Sequence, residues 1–328
     1  MISLSLIIGK VGTCMAQGKK QRKKDYKVRN PGIVMKRFYD GFDHKFLYRK
    51  AQTLMFLVNE RERFIAIVRQ AEETGEEGTN KYLSSQDIDD KYFEGLRAEV
   101  YFTEMHQFEG FFALLLTVFQ KVPHWLYLTT YGTSEIKTAI QNYVDGNISA
   151  VSNGMVNTIE EFVIFAVYAG FSPDEQNKEG QWKESVETID WFIKRAGKRY
   201  LDAASEYNGY KHGLRVLTGH SRLVIWPNDA AGNPQGQGFV MGDSEDSVSF
   251  LAIEDKGENG ETVSEMTKHF NPQESFEHIQ IMQFILDEVM RTRRARINKE
   301  PLESLQTIVI DKEKLQALRK HFTFSLTI

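Results

Sequence analysis

The segment from Asp87 to Gln120 constrains the fold most, because it carries apolar residues at helical spacing over roughly nine turns. Ser84 and Asp87 match the S-x-x-D pattern of a helix start, and Pro123 lies where helices often stop. The apolar stripe of this segment consists of Phe108, Phe111, Phe112, Leu115 and Phe119. The pattern predicts a long helix whose apolar face other helices must cover.

Further segments show the same spacing of three and four residues, which is typical of amphipathic helices. They cover residues 44–71, 133–151, 156–169, 181–217 (one helix or two in line), 272 to about 296, and a short segment around 311–321. The chain is therefore expected to be mainly α, built as a helical bundle.

Residues 219–270 differ from the rest. The runs 222–226 and 247–253 are rich in β-formers, and residues 258–261 have the composition of a hairpin turn before another strand. This segment predicts a small antiparallel β insertion. The expected organisation is a basic flexible arm at 1–30, a helical bundle at 31–218, the β insertion at 219–270, and C-terminal helices packing on the bundle at 271–328.

Composition excludes several classes of protein. Aromatic residues make up 12% of the 328 residues, so the chain is too apolar to be disordered, and Gly and Pro are too few for a fibre. Cys14 is the single cysteine, which rules out an intrachain disulfide and favours a reducing, cytoplasmic location. No run of 18 apolar residues occurs, so we expect no transmembrane helix.

The net charge of −4 conceals a basic N-terminal arm. Residues 17–29 hold seven basic residues against one acidic residue, and Met15 is an alternative start to Met1. The basic residues are Lys19, Lys20, Arg22, Lys23, Lys24, Lys27 and Arg29. Such an arm can contact phosphates of a nucleic acid, or it can serve only as a solubilising tail.

The predicted helix 87–120 carries Glu99, Glu104, His106 and Glu109, of which Glu99, His106 and Glu109 share one face. Carboxylates and imidazoles on helices can hold two metals in a bundle, but those sites repeat Glu-x-x-His, whereas here the order is His-x-x-Glu without a second copy. We favour a polar helix face and expect no metal and no cofactor. Glu109 stands out because it interrupts an apolar run and would need a partner if buried.

A second polar row runs from Glu206 to Arg215. Asn208 and His212 are four residues apart, and His212 and Arg215 are three apart, so a helix would align them. With Lys211, these groups could bind a phosphate, and the imidazole could move protons near neutral pH. The alternative is a structural histidine beside surface cations.

Tyr207-Asn208-x-x-x-His212-Gly213 and the segment His106–Leu116, with Glu109 at its acidic position, resemble the HEPN domain over roughly residues 87–217. The resemblance implies a compact helical bundle, self-association as a homodimer with the polar site at the interface, and a role in stress or phage defence. Many members are ribonucleases. Their motif arginine is replaced here by Tyr207, which brings no positive charge to a phosphorane.

These observations favour a HEPN-like protein that binds nucleic acid or a nucleotide without cleaving it. The binding residues would be Asn208, Lys211, His212 and Arg215, with Glu109 and Glu206 in support. One alternative is a metal-independent endoribonuclease in which His212 is the acid and base, Asn208 orients it and Arg215 stabilises charge. The other alternative is a structural or protein-interaction scaffold. No P-loop, G-x-S-x-G or H-E-x-x-H motif offers a different chemistry.

Overall fold

The computed structural model describes residues 30–74, 83–173, 179–211, 216–225, 239–255, 261–302, 304–317 and 323–327. Within these ranges the chain forms twelve α-helices and four β-strands. The helices are α1 (Pro31–Gly41), α2 (Phe46–Asn59), α3 (Arg61–Thr74), α4 (Asp90–Leu116), α5 (His124–Thr130), α6 (Thr133–Val144), α7 (Ile148–Val151), α8 (Ile159–Ala166), α9 (Gln181–Asp202), α10 (Ala204–Lys211), α11 (Pro272–Asn298) and α12 (Lys312–Ala317). The strands are β1 (Val216–Ile225), β2 (Phe239–Asp255), β3 (Glu261–His269) and β4 (Thr323–Thr327).

Helix α4 is the centre of the molecule, as its apolar pattern predicts. From Ala98 to Leu116 its side chains are buried on nearly every face, and α2, α9 and α11 pack around it. The helix begins at Asp90 because the carboxylate of Asp89 accepts a hydrogen bond from the Tyr92 amide at 2.9 Å. The expected cap Ser84 instead begins a short 3-10 turn before it.

The strands form one antiparallel sheet in the order β1-β2-β3-β4, which packs on α4 and α10. The mainly helical fold with a small antiparallel sheet is thus confirmed. Residues 216 and 217, expected at the end of a helix, are paired with β2 from the start of β1. The sheet also includes β4 from the C-terminal segment, for which only helices were expected. The predicted hairpin turn at 258–261 lies largely outside the described residues.

Several helical segments differ from the periodicity. Residues 44–71 form α2 and α3, which are separated at Glu60. Residues 133–151 form α6 and α7 instead of one helix, because Gly146 takes a left-handed φ of 78° between them. Residues 31–41, which lie before the first predicted helix, form α1, with Pro31 in the first turn, where proline is tolerated. None of the helices in the described ranges combines the length and the apolar character needed to cross a bilayer.

Gly197 permits α9 to pass close to α6. A methyl group at this position would lie 3.0 Å from Val144 Cγ2 and 3.1 Å from Ile140 Cγ2, and both neighbours are branched and stiff. Alanine favours a helix by up to about 1 kcal/mol, whereas overpacking costs about 1–3 kcal/mol. We expect Gly197→Ala to lower the free energy of unfolding by about 1 kcal/mol, measured by urea denaturation.

The matched control is Gly110→Ala in α4, where a methyl group meets no atom within 4 Å. This exposed position should gain stability from the better helix former. If Gly197→Ala is as stable as Gly110→Ala, the close approach of α9 to α6 does not limit the residue at 197.

Candidate functional site

Glu109 is paired with the helix that carries the predicted polar row. Its side chain is only 6% exposed, and Lys211 Nζ donates to Glu109 Oε2 at 2.5 Å. The same ammonium lies 4.3 Å from the centre of the Tyr207 ring. Burial, and then the nearby Glu109 carboxylate, raises the pKa of the Tyr200 and Tyr207 hydroxyls. Lys211 and Glu109 therefore join α10 to α4.

Glu206 is also engaged inside the protein. Its carboxylate is fully buried and accepts hydrogen bonds from the Tyr101 hydroxyl at 3.0 Å and from Lys268 Nζ, which lies 3.0 Å from both carboxylate oxygens. A buried carboxylate needs such partners, since an unpaired charge in the interior is costly. Glu206 thus connects α10 to α4 and to β3.

Asn208 of α10 lines a cavity of about 510 Å³. Ser134 and Lys137 of α6 and Leu251 of β2 also line this cavity. His212 and Arg215, the other members of the predicted row, lie outside the described residues, and so do Lys19, Lys20, Arg22, Lys23 and Lys24 of the arm. Their predicted roles stay predictions.

The carboxylates of the polar face of α4, where a metal site was considered and not expected, are engaged with cations and a phenol. Glu99 accepts from Lys50 Nζ at 2.5 Å and from the Tyr210 hydroxyl at 2.6 Å, and Glu109 accepts from Lys211. In the part of the chain that the structure describes, no group of three His, Cys, Asp or Glu residues is placed to hold a metal ion.

A larger cleft of about 940 Å³ runs along α9, which we call the α9 cleft. Its walls come from α4, α9, α10, the end of β3 and the start of α11. Its basic residues are Lys194, Arg195, Lys198, Arg199 and Lys268, and its acidic residues are Asp190, Asp202, Glu206 and Glu274. Trp191 also lines it. This volume is in the range of small-molecule sites.

Helix α9 supplies most of the cations because of a simple repeat in its sequence. Lys194 and Lys198 are four residues apart, and so are Arg195 and Arg199. The two Lys-Arg pairs therefore lie one helical turn apart on the same side of α9. Lys198 is exposed and makes no ion pair with any residue that the structure describes, while Lys194 pairs with Asp190 at 3.0 Å. Trp191, one turn earlier, lies with its ring centre 5.7 Å from the Arg195 guanidinium and 5.6 Å from Lys312 Nζ.

Two buried carboxylates hold the arginines of the α9 cleft. Glu274, which is 1% exposed, accepts from Arg195 at 2.8 Å and from Arg199 at 3.0 Å. Glu104 lies 2.7 Å from Arg199 Nε. Burial alone would raise the pKa of Glu104, but Arg199 and His278 hold it at about 2. The guanidinium groups are thus fixed in position.

His278 lies at the floor of the α9 cleft with both ring nitrogens engaged. Arg195 Nε donates to His278 Nε2 at 3.3 Å, because a guanidinium can only donate. The imidazole proton is therefore on Nδ1, which lies 2.6 Å from Glu104 Oε1 and donates to it. An imidazole held in this way has no free nitrogen with which to accept a proton from a ligand.

Comparison of the chain with protein-family models, with curated proteins and with solved structures found no match.

The α9 cleft was not among the sites predicted from the sequence. The signal that could have found it is the repeated Lys-Arg pair beside Trp191, because a helix aligns residues four apart. Its partners Glu104, Glu274 and His278 give no such local signal, since they are distant along the chain.

Proposed function

We propose that this protein binds a nucleotide in the α9 cleft and does not cleave it. The observation that carries the proposal is the double Lys-Arg repeat of α9, which brings four cations to one wall of a cleft of about 940 Å³. Lysine and arginine are the residues that bind phosphate groups in proteins. Trp191 at the same wall offers a flat apolar surface for a base.

Binding without cleavage is supported by the state of His278. Both ring nitrogens are already engaged by Glu104 and Arg195, so the imidazole serves to position the arginines. Two acidic residues of the cleft also support binding without cleavage, because Glu206 and Glu274 are both buried and paired with cations. HEPN membership, a homodimer, a role in defence and a cytoplasmic location stay predictions.

The test is a titration with fluorescently labelled ADP. The wild type should bind saturably, and Lys194→Glu with Lys198→Glu should weaken binding at least about tenfold, since a hydrogen bond to a charged group contributes about 1.5–3 kcal/mol. The matched control, Lys91→Glu with Lys183→Glu, makes the same change of net charge at exposed positions outside the cleft and should bind as the wild type does. Equal loss in both variants would contradict the proposal.

A scaffold is the second candidate, and the pairing of the predicted polar row favours it. Lys211 with Glu109 and Glu206 with Lys268 tie α10 to α4 and to β3. Suppose that the wild type binds no nucleotide and that variants which break either of these ion pairs have a lower free energy of unfolding. The scaffold then accounts better for the predicted polar row. Release of cleaved RNA by the wild type would instead favour the endoribonuclease.

A further inference from the structure

Helix α9 presents its charges to the α9 cleft in a symmetrical order. The residues at four-residue spacing along this wall are Asp190, Lys194, Lys198 and Asp202, and all four line the cleft. The residues that directly follow them, Trp191, Arg195, Arg199 and Ala203, line it as well. The two Lys-Arg pairs therefore occupy the middle turns of the wall, with one aspartate a turn before them and another a turn after them.

The size of the α9 cleft leaves room beyond a mononucleotide. Asp190 and Asp202 are twelve residues apart in the sequence, which corresponds to about 18 Å along a helix. The volume of about 940 Å³ is near the upper end of the range for small-molecule sites, roughly 300–1,000 Å³. A mononucleotide carries one base and one ribose on one side of its phosphates. With its base beside Trp191 and its phosphates at the cations, it would leave the turn at Asp202 unused.

Both ends of the cleft offer an acceptor for ribose hydroxyls. Asp190 accepts from the Tyr143 hydroxyl at 3.2 Å and from Lys194 at 3.0 Å, and each carboxylate oxygen has a second lone pair with which to accept from a ligand. Asp202 is exposed, and its carboxylate makes no hydrogen bond or ion pair with any residue that the structure describes. The small side chain of Ala203 beside it leaves room for a second base.

The charge of the α9 cleft matches a ligand with few negative charges. Five basic and four acidic side chains line the cleft, so its cations exceed its anions by one. A terminal phosphate carries nearly two negative charges at neutral pH, because its second pKa is about 6. A phosphate that is esterified or joined on both sides carries only one. Two phosphates joined on both sides therefore suit the cleft better than a chain that ends in a terminal phosphate.

We propose that the α9 cleft binds a dinucleotide whose two nucleosides are joined 5′ to 5′ through a pyrophosphate. The inference rests on nucleotide binding in this cleft and specifies the class of ligand. The two phosphates would lie at the two Lys-Arg pairs, and Asp190 and Asp202 would each accept hydrogen bonds from one ribose. In this linkage both riboses keep their 2′- and 3′-hydroxyls, so both aspartates meet a complete diol.

A short RNA strand is the competing ligand for a cleft of this length. A 3′ to 5′ linkage places a single phosphate between two nucleosides, so the two Lys-Arg pairs in successive turns would share one phosphate. It also esterifies the 3′-hydroxyl of one ribose, and one of the two aspartates would then lose part of its hydrogen bonding. The order of charges along α9 therefore favours the pyrophosphate.

The test compares three ligands by isothermal titration calorimetry: ADP, diadenosine 5′,5′-diphosphate and adenylyl-(3′→5′)-adenosine. The wild type should bind the diphosphate at least about tenfold more tightly than ADP, since the second ribose adds hydrogen bonds to a carboxylate. It should bind adenylyl-adenosine more weakly than the diphosphate. Asp202→Asn should reduce the preference for the diphosphate over ADP about tenfold, because ADP does not reach the second ribose position. The matched control Asp145→Asn changes an exposed aspartate outside the cleft and should keep the full preference.

The inference and the proposed function can fail separately. If ADP binds and diadenosine diphosphate binds no more tightly, the dinucleotide is overturned while nucleotide binding stands. An Asp202→Asn variant that keeps the full preference would also overturn the dinucleotide, and so would tighter binding of adenylyl-adenosine than of the diphosphate. If neither ADP nor diadenosine diphosphate binds, both proposals are wrong.

Discussion

Arg293→Met should lower the free energy of unfolding by at least about 3 kcal/mol, or prevent the protein from accumulating in soluble form. The side chain is 2% exposed and donates to the Tyr39 hydroxyl, Leu114 O, Thr117 Oγ1 and Ala166 O at 2.8–2.9 Å. Ala166 O belongs to the last turn of α8, where helices leave carbonyl groups without intrahelical partners, whereas Leu114 O of α4 also accepts from Thr117. Each buried acceptor left unpaired costs about 1–3 kcal/mol.

The guanidinium also interacts favourably with the negative ends of both helices, and methionine cannot replace that interaction. Arg293→Lys keeps the charge, but its single ammonium cannot reach both helices, so its loss of stability should be intermediate. The control Arg296→Met lies on the exposed side of the same helix and should cost less than about 1 kcal/mol. If Arg293→Met and Arg296→Met unfold at the same urea concentration, the result would contradict this stabilising role of Arg293.

Glu104→Gln should destabilise the fold by about 3–5 kcal/mol, because it removes one of the two carboxylates that balance the buried charge of Arg199. Glu104 is 2% exposed and lies between Arg199 Nε at 2.7 Å and His278 Nδ1 at 2.6 Å. It is the only carboxylate that the described residues place on both groups. Loss of the Glu104 carboxylate therefore weakens the contacts that join α4, α9 and α11.

The pH dependence gives an independent measure of the same carboxylate. Its pKa is about 2 in the folded protein against an ordinary 4.5, so the unfolded chain binds a proton more readily between these values. This contribution to stability is complete above pH 4.5 and is lost as the pH falls towards 2. It amounts to about 3 kcal/mol. Glu104→Gln should remove this part of the acid transition.

Glu99→Gln is the control on the same helix. Its side chain is 25% exposed and binds Lys50 and Tyr210 near the surface, where solvent screens the charge. It should cost about 1 kcal/mol or less. An acid transition that is identical in wild type and Glu104→Gln between pH 4.5 and 2 would show that this network does not govern acid stability.

The helices could be predicted from the sequence because their signals are local. The apolar stripe of α4 and the Asn271-Pro272 start of α11 each lie within a few turns of chain. The errors in the sheet occurred where distant segments decide. Val216 belongs to a strand because it pairs with Phe250, and β4 joins the sheet by pairing with residues 264–268. No local sequence pattern indicates which strands will pair in this way.

The candidate site was predicted only in part for the same reason. Glu109 in an apolar run indicated a buried charge that needs a partner, and Lys211 from the predicted row supplies it. The network of the α9 cleft joins Glu104, Arg199 and Glu274 from three helices. Periodicity places each of these residues on a helix but does not say which helices meet.

A crystal structure of the protein soaked with ADP tests nucleotide binding in the α9 cleft most directly. The account predicts phosphate density within about 3 Å of Lys194 Nζ and Lys198 Nζ, with the base near Trp191. Clear density for the nucleotide in the cavity beside Asn208, with the α9 cleft holding only water, would contradict it.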